Sequence, residues 1–145
     1  MTKSWKTDLA TGIQLIDAQH RELFARIDRL LDKMLAGEDP KAYGETFRFV
    51  RAYADFHFGT EEGLMDSNAY PQTDFHKSQH RWFVAEIDKI HAENMARGLD
   101  GSSQMRLSYV LVDWFSNHIR GVDHKLTAFL KERRVAVPPP DRTPG

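Results

Sequence analysis

Apolar residues recur at a three-four spacing through most of the chain, which is the spacing of one face of an α-helix. The first such stripe covers residues 16–35. Asp17 is predicted to cap this helix and Gly37 to end it, because aspartate favours helix starts and glycine favours helix ends. Residues 1–15 lack this spacing and are expected to form an extended arm.

Two further helices are predicted on the same grounds. Asp39-Pro40 is a helix start signal, because aspartate caps helices and proline fits the first helical position. The apolar spacing after it predicts a helix that continues to about residue 67. A third helix is expected to begin near Thr73 or Asp74 and to stop near Gly98.

The fourth predicted helix is capped by Ser102 or Ser103, and Gly121 is expected to end or kink it. A short helical piece, Lys125 to Arg133, follows. The last residues, 135–145, are rich in proline, and they predict a disordered tail or the stub of a linker. Their deletion is expected to leave thermal stability nearly unchanged.

Four amphipathic helices with short connections predict an all-α fold, an up-down-up-down antiparallel four-helix bundle. A non-helical N-terminal arm precedes the bundle, and a short C-terminal helical segment follows it. The predicted domain comprises residues 1–134.

Composition narrows the function classes. The 145 residues suffice for one domain, and a net charge of -1 gives no reason to expect nucleic acid or anionic lipid as a partner. No apolar run approaches the roughly 20 residues of a membrane span, and the start lacks a signal-peptide core, which predicts a cytoplasmic protein. The chain has no cysteine, so any bound metal must be held by nitrogen and oxygen.

Potential metal ligands stand at helical spacing in the middle of the chain. His57 and Glu61 are four residues apart, and so are His76 and His80. A four-residue step turns an α-helix by about 400°, so both members of each pair lie on one face. The two predicted helices are antiparallel neighbours, and each therefore presents two ligand side chains to the same space.

Five of the seven histidines are predicted to converge. In an up-down bundle the starts of helices one and three and the ends of helices two and four lie at one end. A single histidine on an apolar face is more often a packed core residue than a ligand, but burying five such rings without a partner would be costly. His91 and His124 are expected to be structural or exposed. The converging histidines are His20, His57, His76, His80 and His118.

Counting ligands indicates the metal. Five histidines, two bridging carboxylates and one bridging oxide or hydroxide fill all but one coordination position of two octahedral ions. Glu61 is one candidate bridge. Asp123 is the other, although it lies five residues after His118 and can point back only if the helix is distorted or finished near Gly121. This nitrogen-rich set suits iron better than magnesium or calcium, and it exceeds the four ligands that zinc usually takes.

The chain resembles the hemerythrins, specifically the bacterial hemerythrins, over about residues 5–130. The matching positions are Trp5, Thr11-Gly12-Ile13, Ile16-Asp17, Gln19-His20, Glu22-Leu23-Phe24, His57-Phe58, Glu61-Glu62, Leu64-Met65, Tyr70-Pro71, His76, His80, Trp114, Asn117-His118-Ile119 and Asp123. The resemblance implies a pair of non-haem irons. One iron would be held by His76, His80 and His118.

The resemblance further implies that His20 and His57 hold the second iron, while Glu61 and Asp123 bridge the pair. Dioxygen would bind reversibly at this second iron as a hydroperoxide. Five apolar residues lie within a turn of the ligands and are candidates for the lining of a dry oxygen pocket, although plain core packing explains any one of them equally well. These residues are Phe24, Phe56, Phe83, Phe115 and Ile119.

Phe115 stands where the family commonly has leucine. Its ring is expected to line or narrow the oxygen pocket, because it precedes His118 by three residues on the ligand face.

Three functions fit this sequence. The favoured one is a carrier, store or sensor of dioxygen that is not an enzyme. The second is a di-iron redox enzyme of the oxidase, peroxidase or nitric oxide reductase type, but related enzymes have more glutamates and fewer histidines around the metals. The third is a signalling module whose iron state is read by a partner protein.

Overall fold

The computed structural model describes residues 3–140. Three long helices come first: α1 is Gln14–Leu35, α2 is Pro40–Ser67 and α3 is Thr73–Arg97. A fourth helix, α4, runs without interruption over residues 101–132 and includes two stretches of wider π-helix. The connections between these helices are short, so consecutive helices pack antiparallel as the sequence predicts. The described residues contain no β-strand, and none of their helices is long and apolar enough to cross a membrane.

Capping side chains set two of the helix starts. Asp39 accepts a hydrogen bond from the Ala42 amide at the start of α2, as predicted. The fourth helix begins two or three residues earlier than predicted, because its cap is Asp100. Ser103 is the third residue of that helix and completes a capping box with Asp100, so neither predicted serine is the cap itself.

The predicted cap of α1 is wrong. The helix begins at Gln14, and Asp17 already lies in its first turn. The Asp17 carboxylate instead accepts hydrogen bonds from the Thr11 amide at 2.8 Å, the Thr11 hydroxyl at 2.8 Å and the Gly12 amide at 3.0 Å. Gly12 has a φ of 91°, a conformation that glycine adopts without steric cost. Asp17 therefore fixes the turn between the N-terminal arm and α1.

The N-terminal arm is held against the bundle. It contains one turn of 3-10 helix, Thr7–Leu9, and the Leu9 side chain is fully buried. The amides of Lys3 and Ser4 both donate to the carboxylate of Asp28 on α1. The arm thus lies against α1 and α4 and adds Leu9 to the main hydrophobic core.

The first residues of the predicted tail contact the bundle. Val135 and Val137 pack against a buried cluster that includes Ile13, Met65 and Leu130. Residues 138–140 then line a surface groove together with residues of α1 and α2. The expectation that residues 135–145 form a disordered tail or the stub of a linker stays a prediction, and residues 141–145 lie outside the described part of the chain.

Deletion of residues 135–145 is accordingly expected to lower the thermal stability rather than leave it unchanged. Exposing two partly buried valines and the apolar surface beneath them should cost about 1–3 kcal/mol. The double substitution Val135→Ser and Val137→Ser should reproduce most of this loss in a thermal melt. Ala136→Ser, at the exposed position between the valines, is the matched control and should melt like the unaltered protein. Equal melting temperatures for all four proteins would contradict the packing role.

Candidate metal centre

The structure brings all seven predicted ligand side chains together at one end of the bundle. Each helix contributes to the cluster, and every one of the seven side chains is at least 97% buried. The seven fall into two overlapping groups whose ligand atoms lie within 4.8 Å of one another. One group is His76, His80 and His118 with both carboxylates, and the other is His20 and His57 with the same carboxylates.

Asp123 faces both groups at once. Its Oδ2 atom lies 3.0 Å from Nε2 of His20. Its Oδ1 atom lies 2.9 Å from Nε2 of His76 and 3.2 Å from Nε2 of His118. One carboxylate oxygen is thus directed to each side of the cluster.

Glu61, on α2, repeats this arrangement. Its Oε2 atom lies 3.3 Å from Nε2 of His57 and 3.6 Å from Nε2 of His20. Its Oε1 atom lies 3.1 Å from Nε2 of His80 and 3.5 Å from Nε2 of His76. Both carboxylates therefore divide their oxygens between the same two sets of histidines, which is the arrangement that a bridge between two cations requires.

The facing atoms do not satisfy one another. All five Nε2 atoms and all four carboxylate oxygens are buried and have no partner with hydrogen-bond geometry within the described chain. Their separations are short, but their lone pairs point into shared space instead of at each other. Leaving so many polar atoms unpaired would be very unfavourable. The donor set therefore fits a pair of cations bound by nitrogen and oxygen.

The electrostatics of the site couple metal binding to protonation. Burial lowers the pKa of the His20 and His76 rings, but contacts with Asp123 and Glu61 outweigh it and raise the pKa of each ring from 6.5 to about 9. Burial opposes ionisation of Glu61 and Asp123, yet the surrounding histidines keep the pKa of both carboxyls well below its usual range. Burial lowers the pKa of His57 and outweighs the contribution of Glu61. Cations must displace protons from His20 and His76, so their binding releases protons.

Three residues outside the cluster orient the histidine rings. Nδ1 of His57 lies 2.8 Å from Oε1 of Gln19, and Nδ1 of His80 lies 2.8 Å from Oε2 of Glu62. Nδ1 of His118 lies 3.4 Å from Oε1 of Gln79, a longer contact of the same kind. An acceptor at Nδ1 places the ring proton there and leaves the Nε2 lone pair free for a metal.

These orienting roles were not predicted, although Gln19 and Glu62 belong to the matching motif. Each adjoins a predicted ligand in sequence, but it contacts a histidine of a different helix. Glu62 follows Glu61 on α2 and contacts α3, whereas Gln19 precedes His20 on α1 and contacts α2. The only sequence signal was a polar residue beside a ligand, and helical spacing does not pair residues on separate helices.

A change of helix type places Asp123 beside His118. Residues Ile119–Asp123 form a π-helix, in which hydrogen bonds join residues five apart instead of four. An ideal α-helix would turn Asp123 away from the histidine, whereas the wider turn aligns the two side chains. The helix continues through Gly121, so the expectation that it ends there is wrong, while the expected distortion is present.

Aromatic and apolar rings surround the cluster. The Phe115 ring lies between the two histidine groups, with its centroid 5.9 Å from His20 and 6.3 Å from His118. Phe24 and Phe83 contact Phe115 at 5.2 Å and 5.5 Å. These three rings and Ile119 are fully buried.

Phe56 does not belong with these residues, and that prediction is corrected. Its side chain is 39% exposed and lies in the groove beside residues 138–140. The residue that sequence reasoning missed is Phe58, whose ring stacks on His80 at a centroid distance of 3.9 Å. Phe58 follows His57 directly on α2, and only the tertiary packing shows that its ring faces α3.

The two remaining histidines lie outside the cluster, as expected. His91 stacks on Phe47 with a centroid distance of 3.9 Å. Nε2 of His124 lies 3.4 Å from the Leu9 carbonyl oxygen.

The geometry defines a class: a four-helix bundle with a histidine-rich, carboxylate-bridged site for two cations. Comparison with known proteins agrees, since the Hemerythrin HHE cation binding domain matches residues 11–130. The chain belongs to the hemerythrin family.

Relatives match over most of their length. A bacteriohemerythrin of Stenotrophomonas maltophilia (strain R551-3) is 34% identical over 119 residues, which cover 82% of this chain and 75% of the relative. A bacteriohemerythrin of Pseudomonas aeruginosa (strain LESB58) is 30% identical over 137 residues, which cover 89% of this chain and 87% of the relative. A myohemerythrin of Theromyzon tessulatum is 26% identical over 121 residues, which cover 83% of this chain and 88% of the relative.

Removing an orienting acceptor is expected to weaken metal binding. Gln19→Met and Glu62→Met keep the side-chain length but lose the oxygen that faces Nδ1, and each should reduce the affinity for ferrous iron about 10–100-fold. Gln19→Glu and Glu62→Gln retain an acceptor oxygen and are the matched controls. Anaerobic competition with a chelator measures these affinities. Unchanged affinity in both methionine variants would show that the rings are oriented by packing alone.

Proposed function

We propose that this chain holds two non-haem irons and binds dioxygen reversibly. In this proposal His76, His80 and His118 hold one iron, and His20 and His57 hold the other. Glu61 and Asp123 bridge the two irons together with an oxide or hydroxide. The observation that carries the proposal is the division of both carboxylates between the two histidine groups.

The unequal groups favour ligand binding on one side. Three histidines and two carboxylates leave room only for the bridging oxygen on the first iron, whereas two histidines leave one further position on the second. When bound, the irons supply the electrons that reversible dioxygen binding requires. The protein supplies the ligand geometry and excludes water from the pocket.

The surrounding residues support a carrier, store or sensor over an oxidising enzyme. The cluster contains five histidines and only two carboxylates, whereas related di-iron enzymes use more glutamates. Phe115 covers the cluster on the side shared by His20 and His118, and its burial is complete. An apolar cover of this kind keeps protons and water from a bound dioxygen species.

The test is a metal analysis combined with an optical spectrum. Freshly isolated protein should contain two irons per chain, and the anaerobically reduced protein should develop a new visible absorption in air that disappears again under vacuum. Glu61→Ala should lose the paired irons, because without this bridge the two ions are no longer linked and the neighbouring histidines lose a counter-charge. Gln104→Ala, far from the site on α4, is the control. One ion per chain, or zinc in its place, would exclude the proposal.

A second expectation concerns the lifetime of the oxygenated protein. Phe115→Ala should open a cavity, admit solvent and accelerate decay to the diferric form, and it should cost about 3–5 kcal/mol of stability. Phe115→Leu keeps an apolar side chain and should fall between the alanine variant and the unaltered protein. The decay is followed optically at fixed pH and temperature.

The control for lost stability is Phe47→Leu, the same substitution in the core beside His91 and outside the metal cluster. It should lower the melting temperature without changing the decay. If both Phe115 variants decay at the same rate as the unaltered protein and retain two irons, Phe115 serves core packing only.

A further inference from the structure

Two indole rings connect the metal cluster to the surface. The Trp114 ring stacks on the His118 ring, with centroids 5.1 Å apart and planes at 16°. On its other side Trp114 contacts Trp82, with centroids 4.9 Å apart and planes at 36°. Trp82 is 43% exposed. The three rings form one continuous aromatic path from a predicted iron ligand to solvent.

This path differs chemically from the rings on the other sides of the cluster. Phe58 and Phe115 also contact histidines of the site, but a phenyl ring gives up an electron far less readily than an indole. The indoles lie within the distance range of ordinary aromatic contacts, so their π-systems are close enough for electron exchange. A buried oxidant at the metal cluster would therefore draw electrons most readily through Trp114 and Trp82.

We propose that Trp114 and Trp82 are a route by which oxidising equivalents leave the metal centre and reach a one-electron donor at the surface. The proposal rests on the di-iron site proposed above. The oxidant is hydrogen peroxide, which reaches the centre from solution or from loss of reduced dioxygen. Trp114 and Trp82 are then positioning residues for a surface-coupled peroxide reduction that is separate from oxygen binding.

The chemistry balances without a further reagent. One hydrogen peroxide accepts two electrons and two protons and becomes two waters, as its O–O bond breaks. Two indoles each give up one electron and their N–H proton and become neutral radicals. A hydrogen-atom donor of the phenol or ascorbate class then restores each indole at the exposed Trp82 edge. Without a donor, the radicals react onward and leave stable oxidation products on the tryptophans.

The exposed ring is the reason to assign an outlet for electrons instead of plain core packing. A ring with this exposure can be reached directly by a dissolved donor. Trp82 lies on the outer face of α3. Phe75, about two turns earlier on the same helix, is 52% exposed. Small donors can approach this surface, whereas the side chains that would hold the irons are buried.

The test uses the full chain loaded with iron and a limited amount of hydrogen peroxide, without added donor. Peptide mass spectrometry locates the oxidised tryptophans. We expect oxidation at Trp82 to be several-fold above that at Trp5, the third tryptophan. Trp5 lies on the N-terminal arm, where its ring contacts Arg21 of α1 instead of the cluster. Ascorbate should suppress the Trp82 product. Iron-free protein, treated in the same way, should show only the background oxidation of an exposed ring.

Two variants test the order of the path. In Trp114→Phe the break lies between the cluster and the surface, so oxidation at Trp82 should fall to the iron-free level. In Trp82→Phe the path ends one ring earlier, so the product should accumulate on Trp114. Trp5→Phe is the matched control and should leave the Trp82 product unchanged.

The outcomes separate this inference from the proposed function. Iron content and the oxygenated spectrum are measured on each sample before peroxide is added. Two irons and a normal spectrum, combined with Trp82 oxidation that is the same in iron-free protein or in Trp114→Phe, would overturn the route and leave the oxygen site standing. Absence of the two irons in the unaltered protein would overturn both.

Discussion

Burial of two carboxylates among five histidines is the constraint on which this structure depends. Glu61 and Asp123 are fully enclosed, and neither has a hydrogen-bond partner in the described chain. An apolar core of the same size would be cheaper to form, because buried charges lose their hydration. Two cations between the carboxylates, as proposed here, would offset this cost.

The helix that carries Asp123 shows how far the fold is adapted to that need. A regular α-helix would direct His118 and Asp123 to different sides, and the π-turn at Ile119–Asp123 brings them together. The same helix places Phe115 over the cluster and Trp114 beside it. The π-turn thus aligns Asp123 with His118, while Phe115 and Trp114 take their positions from the part of the helix before it.

Contacts around the cluster divide into two kinds. Gln19 and Glu62 fix the rings of His57 and His80 through Nδ1, which prepares the Nε2 atoms for metal. The aromatic rings exclude water. In the proposed function these contacts act on different steps: fixing the histidines would govern metal affinity, and drying the site would govern the lifetime of a bound oxygen species.

The sequence by itself determined the helices and the approximate level of the ligands. Helical spacing is a local property, so the pairs His57–Glu61 and His76–His80 could be assigned without a structure. The tertiary structure decided what depends on contacts between distant segments. It showed that Asp17 anchors the arm, that Phe58 replaces Phe56 beside the site, and that Val135 and Val137 pack on the bundle. Spacing along one helix cannot specify which residue of another helix it meets, and a proline-rich composition does not reveal an apolar surface that awaits it.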